Sequence, residues 1–400
     1  MEVTALKIEK IYGGDSRLGR IDEIYTEAFP LQERFGLDII MRLADEGKLD
    51  VFAVMDKGET AGMFIMCVCA RTAYVCYFAI DKGLRGRGLG SEVIGSICSY
   101  YAGFQVVLEI EALDKSADNY VQRKRREGFY LRAGFRHTQR YIRYEGVTYE
   151  LLFAGVQDFD AAGFDALMDT RRSADFQPVL FDAKSYTTYI FDLDGTLLDT
   201  LDDLTASTNF AVLGAGGKAH TREEVCSFVG NGIGMLMRRA LPRDISDEDY
   251  DKAFAAFKQH YAAHCCDNTK AYAGIMEMLR NLKACGKKVA VVSNKADFAV
   301  RELCKDYFGD LVDFCAGEKD GVRRKPSPDT VFTAMRQLGS KPDECVYIGD
   351  SDVDIETARN AGTDCISVLW GFRSEEFLFD HGAKVFAQTP NEICLLTLAQ

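Results

Sequence analysis

The chain has 400 residues, of which 47% are hydrophobic and 27% are charged, and its formal net charge is −13. This length is about two or more times that of an ordinary domain, so we expect at least two hydrophobic cores and little disorder. Residues 1–185 hold 24 basic and 28 acidic side chains, and residues 186–400 hold 24 and 33. Because neither half is basic, a nucleic acid is not expected as a partner.

The N-terminal sequence lacks the charged start and apolar run of a signal peptide. The most apolar stretch, 61–80, is interrupted by Arg71 and alternates in polarity, which predicts two paired strands, 60–70 and 74–80, rather than a membrane span. The thirteen cysteines show no CxxC pair, which is typical of reduced thiols and argues against a zinc site. We therefore expect a cytoplasmic protein with no membrane partner.

A glycine-rich turn between a strand and a helix, residues 75–91, is the most informative part of the first half. Such a turn presents consecutive N–H groups and a helix N-terminus to an anion. The spacing Arg85-x-x-Gly88-x-Gly90 resembles the pyrophosphate loop of GNAT-type N-acetyltransferases, and residues 129–135 resemble the closing helix and turn of that family. The resemblance implies an α+β fold with a mixed sheet over residues 1–155 and acetyl-CoA as cosubstrate.

In that family an amine attacks the thioester directly, so the resemblance also implies an unknown amine as second substrate. Tyr130 takes the place of the tyrosine that protonates the departing thiolate, and Glu109 or Glu111 is a candidate base or else an ordinary strand carboxylate. The basic run 123–126 is either a solvated helix face or a contact for the 3′-phosphate of CoA. The residues that the resemblance assigns to the cofactor are Phe78, Ile80, Arg85, Gly86, Arg87, Gly88, Leu89 and Gly90.

Beyond residue 185 short apolar runs alternate with helical segments. The runs 189–191, 289–293, 346–349 and 365–368 end in small or acidic residues, which predicts a parallel, doubly wound sheet. We therefore treat residues 156–185 as a linker or connecting helix and residues 186–400 as a second domain of Rossmann-like α/β type.

The first of these strands runs directly into Asp192-Leu-Asp194-Gly-Thr. Ligands of open α/β sheets bind at the carboxyl ends of the strands, so one carboxylate can attack phosphorus while the other protonates the leaving oxygen. Ser293 and Lys325 offer a hydroxyl and a positive charge for phosphoryl oxygens. The acidic run 350–354 offers the oxygen ligands that magnesium prefers.

This order of motifs resembles the haloacid dehalogenase-like superfamily over about 215 residues. The resemblance implies that Asp192 is the nucleophile, that Asp194 is the general acid and base, and that Ser293 and Lys325 hold the phosphate. It further implies that Asp192, Asp350 and the Asp194 carbonyl bind Mg²⁺, with Asp354 supporting the metal from behind.

More than ninety residues separate the first motif from the strand at 289, which is far more than one crossover helix needs. Helical apolar spacing at 201–213, 223–229, 233–241 and 248–263 predicts a helical cap over about residues 200–272. The segments 228–232, 272–275, 293–295 and 369–373 resemble phosphoglycolate phosphatases and their pyrophosphatase relatives, with Ala273 and Thr200 as departures.

The expected substrate is therefore a small phosphorylated metabolite, with Asn294, Arg238 and Arg239 as candidate contacts for an anionic group. Two interpretations of the whole chain stay open. One is a bifunctional phosphatase and acetyltransferase, and the other is a phosphatase whose first domain only senses acetyl-CoA. A phosphomutase or pyrophosphatase activity is the alternative for the second domain, and the sequence gives no oligomeric state.

Overall fold

The computed structural model describes residues 6–31, 34–115, 117–173, 176–229 and 232–398. Contacts divide the chain into two compact units, Met1–Leu113 with Ala117–Asp182 and Asp114–Ser116 with Ala183–Gln400. Each unit has its own buried apolar clusters, as the length predicts. No helix in the described part of the chain is both long enough and apolar enough to cross a membrane.

The first unit is built on an eight-stranded sheet. Its strands are β1 (Lys7–Ile11), β2 (Asp50–Asp56), β3 (Glu59–Cys69), β4 (Thr72–Ile80), β5 (Gln105–Glu111), β6 (Arg136–Tyr144), β7 (Val147–Ala154) and β8 (Val179–Asp182). Its helices are α1 (Leu18–Ala28), α2 (Leu37–Asp45), α3 (Leu89–Tyr100), α4 (Tyr120–Arg132) and α5 (Ala161–Arg171). The order is β1-β2-β3-β4-β5-β7-β6-β8, and only β4 and β5 are parallel among the paired strands described. The predicted mixed sheet is confirmed.

The apolar stretch of the sequence analysis forms β3 and β4, which pair antiparallel with Phe64 opposite Phe78. The segment treated as a connection, 156–185, contains α5 and β8. Strand β8 pairs with β6, where the Tyr141 and Phe181 rings stack at 5.7 Å, so the structure places this strand within the first unit.

The second unit is a parallel α/β sheet with an inserted cap. Its strands are β9 (Thr188–Phe191), β10 (Leu198–Asp199), β11 (Lys270–Ala271), β12 (Lys288–Ala296), β13 (Phe314–Glu318), β14 (Cys345–Gly349), β15 (Asp364–Val368) and β16 (Phe386–Ala387). Its helices are α6 (Leu201–Gly214), α7 (Arg222–Phe228), α8 (Ile233–Ala240), α9 (Asp247–His264), α10 (Ile275–Ala284), α11 (Asp297–Leu303), α12 (Asp329–Leu338), α13 (Asp352–Ala361), α14 (Glu375–Asp380) and α15 (Pro390–Thr397). The main sheet has the order β13-β12-β9-β14-β15-β16 and is parallel throughout.

The cap consists of α6 to α9, which match the four predicted helical segments to within one or two residues at each end. Their apolar faces pack into one cluster around Val225, Met237 and Phe257. Both ends of the insertion meet in the short ladder of β10 and β11, where Leu198 lies opposite Ala271. The cap therefore leaves and rejoins the main fold at one place.

Strand β9 lies in the middle of the main sheet, between β12 and β14. Its Tyr189, Ile190 and Phe191 are fully buried, as a parallel strand covered on both faces requires. The carboxyl ends of β9, β12 and β14 share one edge of the sheet, so the polar residues that follow them are brought together there.

Candidate active site

Asp192 directly follows β9, and its backbone N–H donates to the Ile348 carbonyl at 2.9 Å. One carboxylate oxygen, Oδ1, accepts the Leu193 N–H at 2.7 Å. The chain then turns at Gly195, where φ is +83° and a Cβ would lie 2.4 Å from Oδ2 of Asp350. Glycine is therefore required here both by the backbone conformation and by the close approach of the second acidic motif.

Lys325 is buried in the centre of this edge. Its ammonium lies 2.9 Å from Oδ1 of Asp192 and 2.8 Å from Oδ1 of Asp354. Asn294 holds the Lys325 main chain from both sides, because its Oδ1 accepts the N–H at 2.8 Å and its Nδ2 donates to the carbonyl at 3.1 Å. Asn294, which we predicted to contact the substrate, thus positions the lysine that faces Asp192, the predicted nucleophile.

Asp192, Asp350 and Asp354 each offer a carboxylate oxygen within 4.8 Å of the others. Asp350 accepts from the Thr196 hydroxyl at 3.0 Å and from the Phe372 N–H at 2.8 Å. Burial raises the pKa of both Asp192 and Asp350, because two ionised carboxylates are held out of water and next to further acids. An oxygen-only donor set with excess negative charge suits a hard divalent cation such as magnesium.

Asp354 is already engaged on both oxygens. Its Oδ1 is bound by Lys325, and its Oδ2 accepts the Ser351 hydroxyl at 2.6 Å. This arrangement suits the supporting position that the sequence predicts for Asp354, since a bound ion would find its oxygens oriented by fixed partners.

Asp194 has an ionic partner that the sequence analysis left without a role. The Lys295 ammonium lies 2.9 Å from its Oδ1 and also donates to the Tyr261 hydroxyl at 2.5 Å. Lys295 and Ser293 lie two residues apart at the end of β12, and both side chains line the same cavity, although the register of β12 against β13 shifts between Val292 and Ala296. That spacing is the signal that could have placed Lys295 in the site.

These side chains line a cavity of about 100 Å³ at the carboxyl edge of the sheet. The floor carries the polar groups, including Asp192, Asp194 and Ser293, whereas the cap contributes mainly apolar side chains. The cap residues that line the cavity are Leu204, Val229, Gly232, Ile233, Leu236 and Tyr261.

The structure does not bring Arg238 and Arg239 into this cavity. The Arg238 guanidinium lies over the Tyr250 ring at 3.5 Å, and Arg239 donates to the Phe228 carbonyl at 2.7 Å. Helix α8 buries Leu236, Met237 and Ala240, whereas Arg238 and Arg239 lie on its exposed side. The arrangement therefore gives no support to the prediction that Arg238 and Arg239 contact the substrate. Gly230 and Asn231 of the same predicted segment lie outside the described residues.

In the first unit the predicted cofactor turn follows β4, which ends at Ile80, and precedes α3, which begins at Leu89. Gly86 and Gly88 have φ values of +80° and +87°. The Arg85 side chain closes the turn by donating to the Ile80 carbonyl at 2.9 Å. No side chain of the described residues caps the start of α3, which leaves its first N–H groups without a side-chain partner and is compatible with an anion site.

Helix α3 packs closely against α4, where a Cβ at Gly90 would lie 3.2 Å from the Phe129 ring and 4.0 Å from the Phe78 ring. The neighbouring Tyr130 ring lies 5.0 Å from Phe129 and 5.8 Å from Phe135. Burial raises the pKa of the Tyr130 phenol. The predicted proton donor is therefore held beside the predicted cofactor turn and stays protonated at neutral pH.

The two candidate bases on β5 differ in their surroundings. Glu111 lies 3.1 Å from the Arg123 guanidinium, so the first residue of the basic run is used in an internal ion pair. Glu109 accepts from the Tyr144 hydroxyl, while its Oε2 is buried without a hydrogen-bond partner among the described residues. Strands β4 and β5 pair over three residues each, and the last pair is Tyr74 with Val107. Glu109 lies on β5, two residues beyond this last pair.

A haloacid dehalogenase-like hydrolase model matches residues 189–368, and an acetyltransferase (GNAT) family model matches residues 18–135. A phosphoglycolate phosphatase of Pseudomonas putida is 32% identical over 209 residues, which cover 50% of this chain and 74% of that protein. The chain belongs to the haloacid dehalogenase-like hydrolase family. Its first unit carries the GNAT fold, and both resemblances drawn from the motifs are confirmed.

Further relatives correspond to the same C-terminal half. A phosphoglycolate phosphatase of Colwellia psychrerythraea is 30% identical over 213 residues and is covered to 94%. The crystal structure of a putative phosphoglycolate phosphatase from Lactobacillus delbrueckii subsp. bulgaricus is 38% identical, with a TM-score of 0.52 and coverage of 54% of this chain and 100% of that one. The second unit is thus similar to phosphoglycolate phosphatases in both sequence and fold.

Proposed function

We propose that the second unit hydrolyses a small phosphate monoester, with phosphoglycolate as the first candidate, through an aspartyl-phosphate on Asp192. The observation that carries the proposal is the meeting of Asp192, Asp194, Ser293 and Lys325 in one small covered cavity. The names of the similar phosphatases support the choice of phosphoglycolate.

In the first step an oxygen of Asp192 attacks phosphorus, and the bond from phosphorus to the ester oxygen breaks. Asp194 donates its proton to that leaving oxygen, while Ser293 and Lys325 hold the phosphoryl oxygens as charge builds up on them. In the second step Asp194 takes a proton from water, the water oxygen attacks phosphorus, and the bond to Asp192 breaks, which releases phosphate and restores the carboxylate.

Asp192, Asp350 and the Asp194 carbonyl would hold magnesium, which supplies positive charge against the phosphoryl oxygens. Asp354 would orient these groups through Lys325 and Ser351. The raised pKa values of Asp192 and Asp350 support a cation at this point, because it would stabilise the ionised carboxylates that the chemistry needs.

The test is phosphate release from a panel of metabolite phosphate esters, with magnesium and with EDTA. We expect magnesium-dependent release from phosphoglycolate without any bisphosphate activator, together with an acid-stable phosphoenzyme trapped during turnover. A requirement for a bisphosphate would favour the phosphomutase alternative, and preferential cleavage of a diphosphate would favour a pyrophosphatase.

For the first unit we propose binding of acetyl-CoA at Arg85–Gly90 and acetyl transfer to an amine. Glu109 would take a proton from the substrate ammonium, and the amine nitrogen would attack the thioester carbon. The carbon–sulfur bond would then break, Tyr130 would give its proton to the departing thiolate, and the proton that the new amide nitrogen loses would restore Tyr130. Glu109 is favoured over Glu111, because burial beside tyrosine hydroxyls raises the pKa of its carboxyl, whereas Glu111 is paired with Arg123. Release of free CoA with a panel of amines tests the proposal, and acetyl-CoA binding without release would support a sensor instead.

A further inference from the structure

Lys295 lies in the second unit between Tyr261 of the cap and Asp194 on the floor of the cavity. Its side chain is 6% exposed and its ammonium contacts two groups, Oδ1 of Asp194 on the floor and the hydroxyl of Tyr261 on α9. The Tyr261 ring centroid lies 4.8 Å from the same nitrogen. A buried ammonium is retained at this place although the surrounding cap surface is largely apolar.

Three cations are found among the described residues that line the cavity: Lys295, Lys325 and Arg373. Lys325 is committed to Asp192 and Asp354. Arg373 donates to the carbonyl groups of Cys226 at 3.2 Å and Val229 at 2.5 Å, and its Nε is buried without a hydrogen-bond partner among the described residues. Lys295 differs from both, because its only carboxylate partner in the described structure is the proposed general acid.

This pairing has to change during the proposed reaction. Asp194 must carry a proton in order to donate to the leaving oxygen, and a protonated carboxyl no longer offers the negative charge that faces Lys295 here. An ammonium that loses its partner inside a desolvated cavity is costly, so another anion has to replace Asp194. A substrate that carries a carboxylate next to its ester oxygen would bring such an anion close to Lys295, because Asp194 has to protonate that same ester oxygen.

We propose that Lys295 binds the second anionic group of the substrate and thereby selects short phosphate esters whose leaving group carries a carboxylate. This inference rests on the proposed phosphatase function. The substrate carboxylate takes over the ammonium from Asp194, and Asp194 becomes free to hold the proton for the leaving oxygen. Tyr261 keeps the ammonium oriented while its anionic partner changes from Asp194 to the substrate carboxylate. Lys295 would thereby contact the cap, the general acid and the substrate.

The test compares two esters that differ only in that group, phosphoglycolate and ethyl phosphate, on the full chain and on Lys295→Met. We expect the ratio of kcat/KM for phosphoglycolate to that for ethyl phosphate to fall at least 10-fold in the variant, mostly through KM, and Lys295→Arg to recover part of it. Arg238→Ala is the matched control, and its ratio should equal that of the wild type. Equal losses on both esters would show that Lys295 only positions Asp194 and would overturn the inference.

A binding experiment keeps the inference testable if neither ester is turned over or if Lys295→Met folds poorly. Calorimetry with magnesium compares 3-phosphonopropionate with propylphosphonate, which lacks the carboxylate, on the wild type and on the double variant Lys295→Met/Asp194→Asn, in which no carboxylate is left unpaired. The wild type should prefer 3-phosphonopropionate at least 10-fold and the double variant should not. Equal affinities in the wild type, or a preference retained by the double variant, would refute the assignment even if phosphatase activity were present.

Discussion

Replacement of Asp192 by asparagine should abolish phosphatase turnover and at the same time stabilise the metal-free protein at alkaline pH. The carboxylate is the proposed nucleophile, and an amide cannot form the phosphoenzyme. It is also buried beside Asp350 and Asp354, where its ionised form is held out of water among like charges. Catalysis and stability therefore make opposite demands on this position.

The size of the effect follows from the shift of the carboxyl pKa, from 3.8 to about 7. At about 1.4 kcal/mol per unit, ionisation of Asp192 costs on the order of 4 kcal/mol above pH 7. Because neighbouring carboxyls take up part of this cost, we expect asparagine to raise the free energy of unfolding by about 1–3 kcal/mol at pH 8. The folded pKa is raised, so the cost is absent below pH 3.8 and complete above about pH 7. The stability that Asp192→Asn gains over the wild type should therefore shrink as the pH falls towards 4.

The assay is urea denaturation in EDTA at pH 8 and at pH 5, next to phosphate release with magnesium. Asp247→Asn is the matched control, because the Asp247 side chain is 94% exposed and neither stability nor turnover should change. Loss of stability at pH 8 in Asp192→Asn would refute the electrostatic reasoning. Residual turnover above about a hundredth of the wild-type rate would refute the covalent mechanism, since loss of a nucleophile costs several powers of ten.

Three further predictions concern the metal, the cofactor turn and a histidine. EDTA should stop phosphate release and excess magnesium should restore it, whereas unchanged turnover would remove Asp350 from its proposed role. Gly88→Val should lower the calorimetric affinity for acetyl-CoA at least 10-fold, because φ is +87° there and the side chain would block approach to the turn; unchanged affinity would place the cofactor elsewhere. The Glu150 carboxylate, 2.6 Å from His137, raises the pKa of that histidine. The contribution of this ion pair to the stability of the fold is therefore full below pH 6.5 and is lost as the pH rises past the raised pKa. His137→Gln should therefore lower the urea midpoint more at pH 5.5 than at pH 9, and equal losses would mean that the ring only packs.

The sequence alone was sufficient to predict which polar residues form the floor of the cavity in the second unit. The short apolar strands and the acidic residues that follow them are local features, and parallel strands must present their carboxyl ends at a common edge. That rule brings Asp192, Ser293 and Asp350 together without any knowledge of the packing. The four cap helices and the glycine-rich turn were equally local, because helical periodicity and glycine conformation are set by neighbouring residues.

Only the tertiary structure shows which cap side chains line the cavity and which charged side chains are paired. Periodicity shows that α8 has an apolar and a polar face, but only the packing of α8 places Leu236 on the cavity and Arg238 on Tyr250. The contact of Lys295 with Tyr261 joins residues 34 positions apart, on a strand and a cap helix.

The same distinction separates Glu109 from Glu111, which are indistinguishable by strand spacing and differ in their partners, because Tyr144 donates to Glu109 and Arg123 reaches Glu111. Local sequence thus fixes which chemistry a strand end can offer. Which charged side chains form ion pairs depends on the distances between different helices and strands, and these distances are set only when the chain folds.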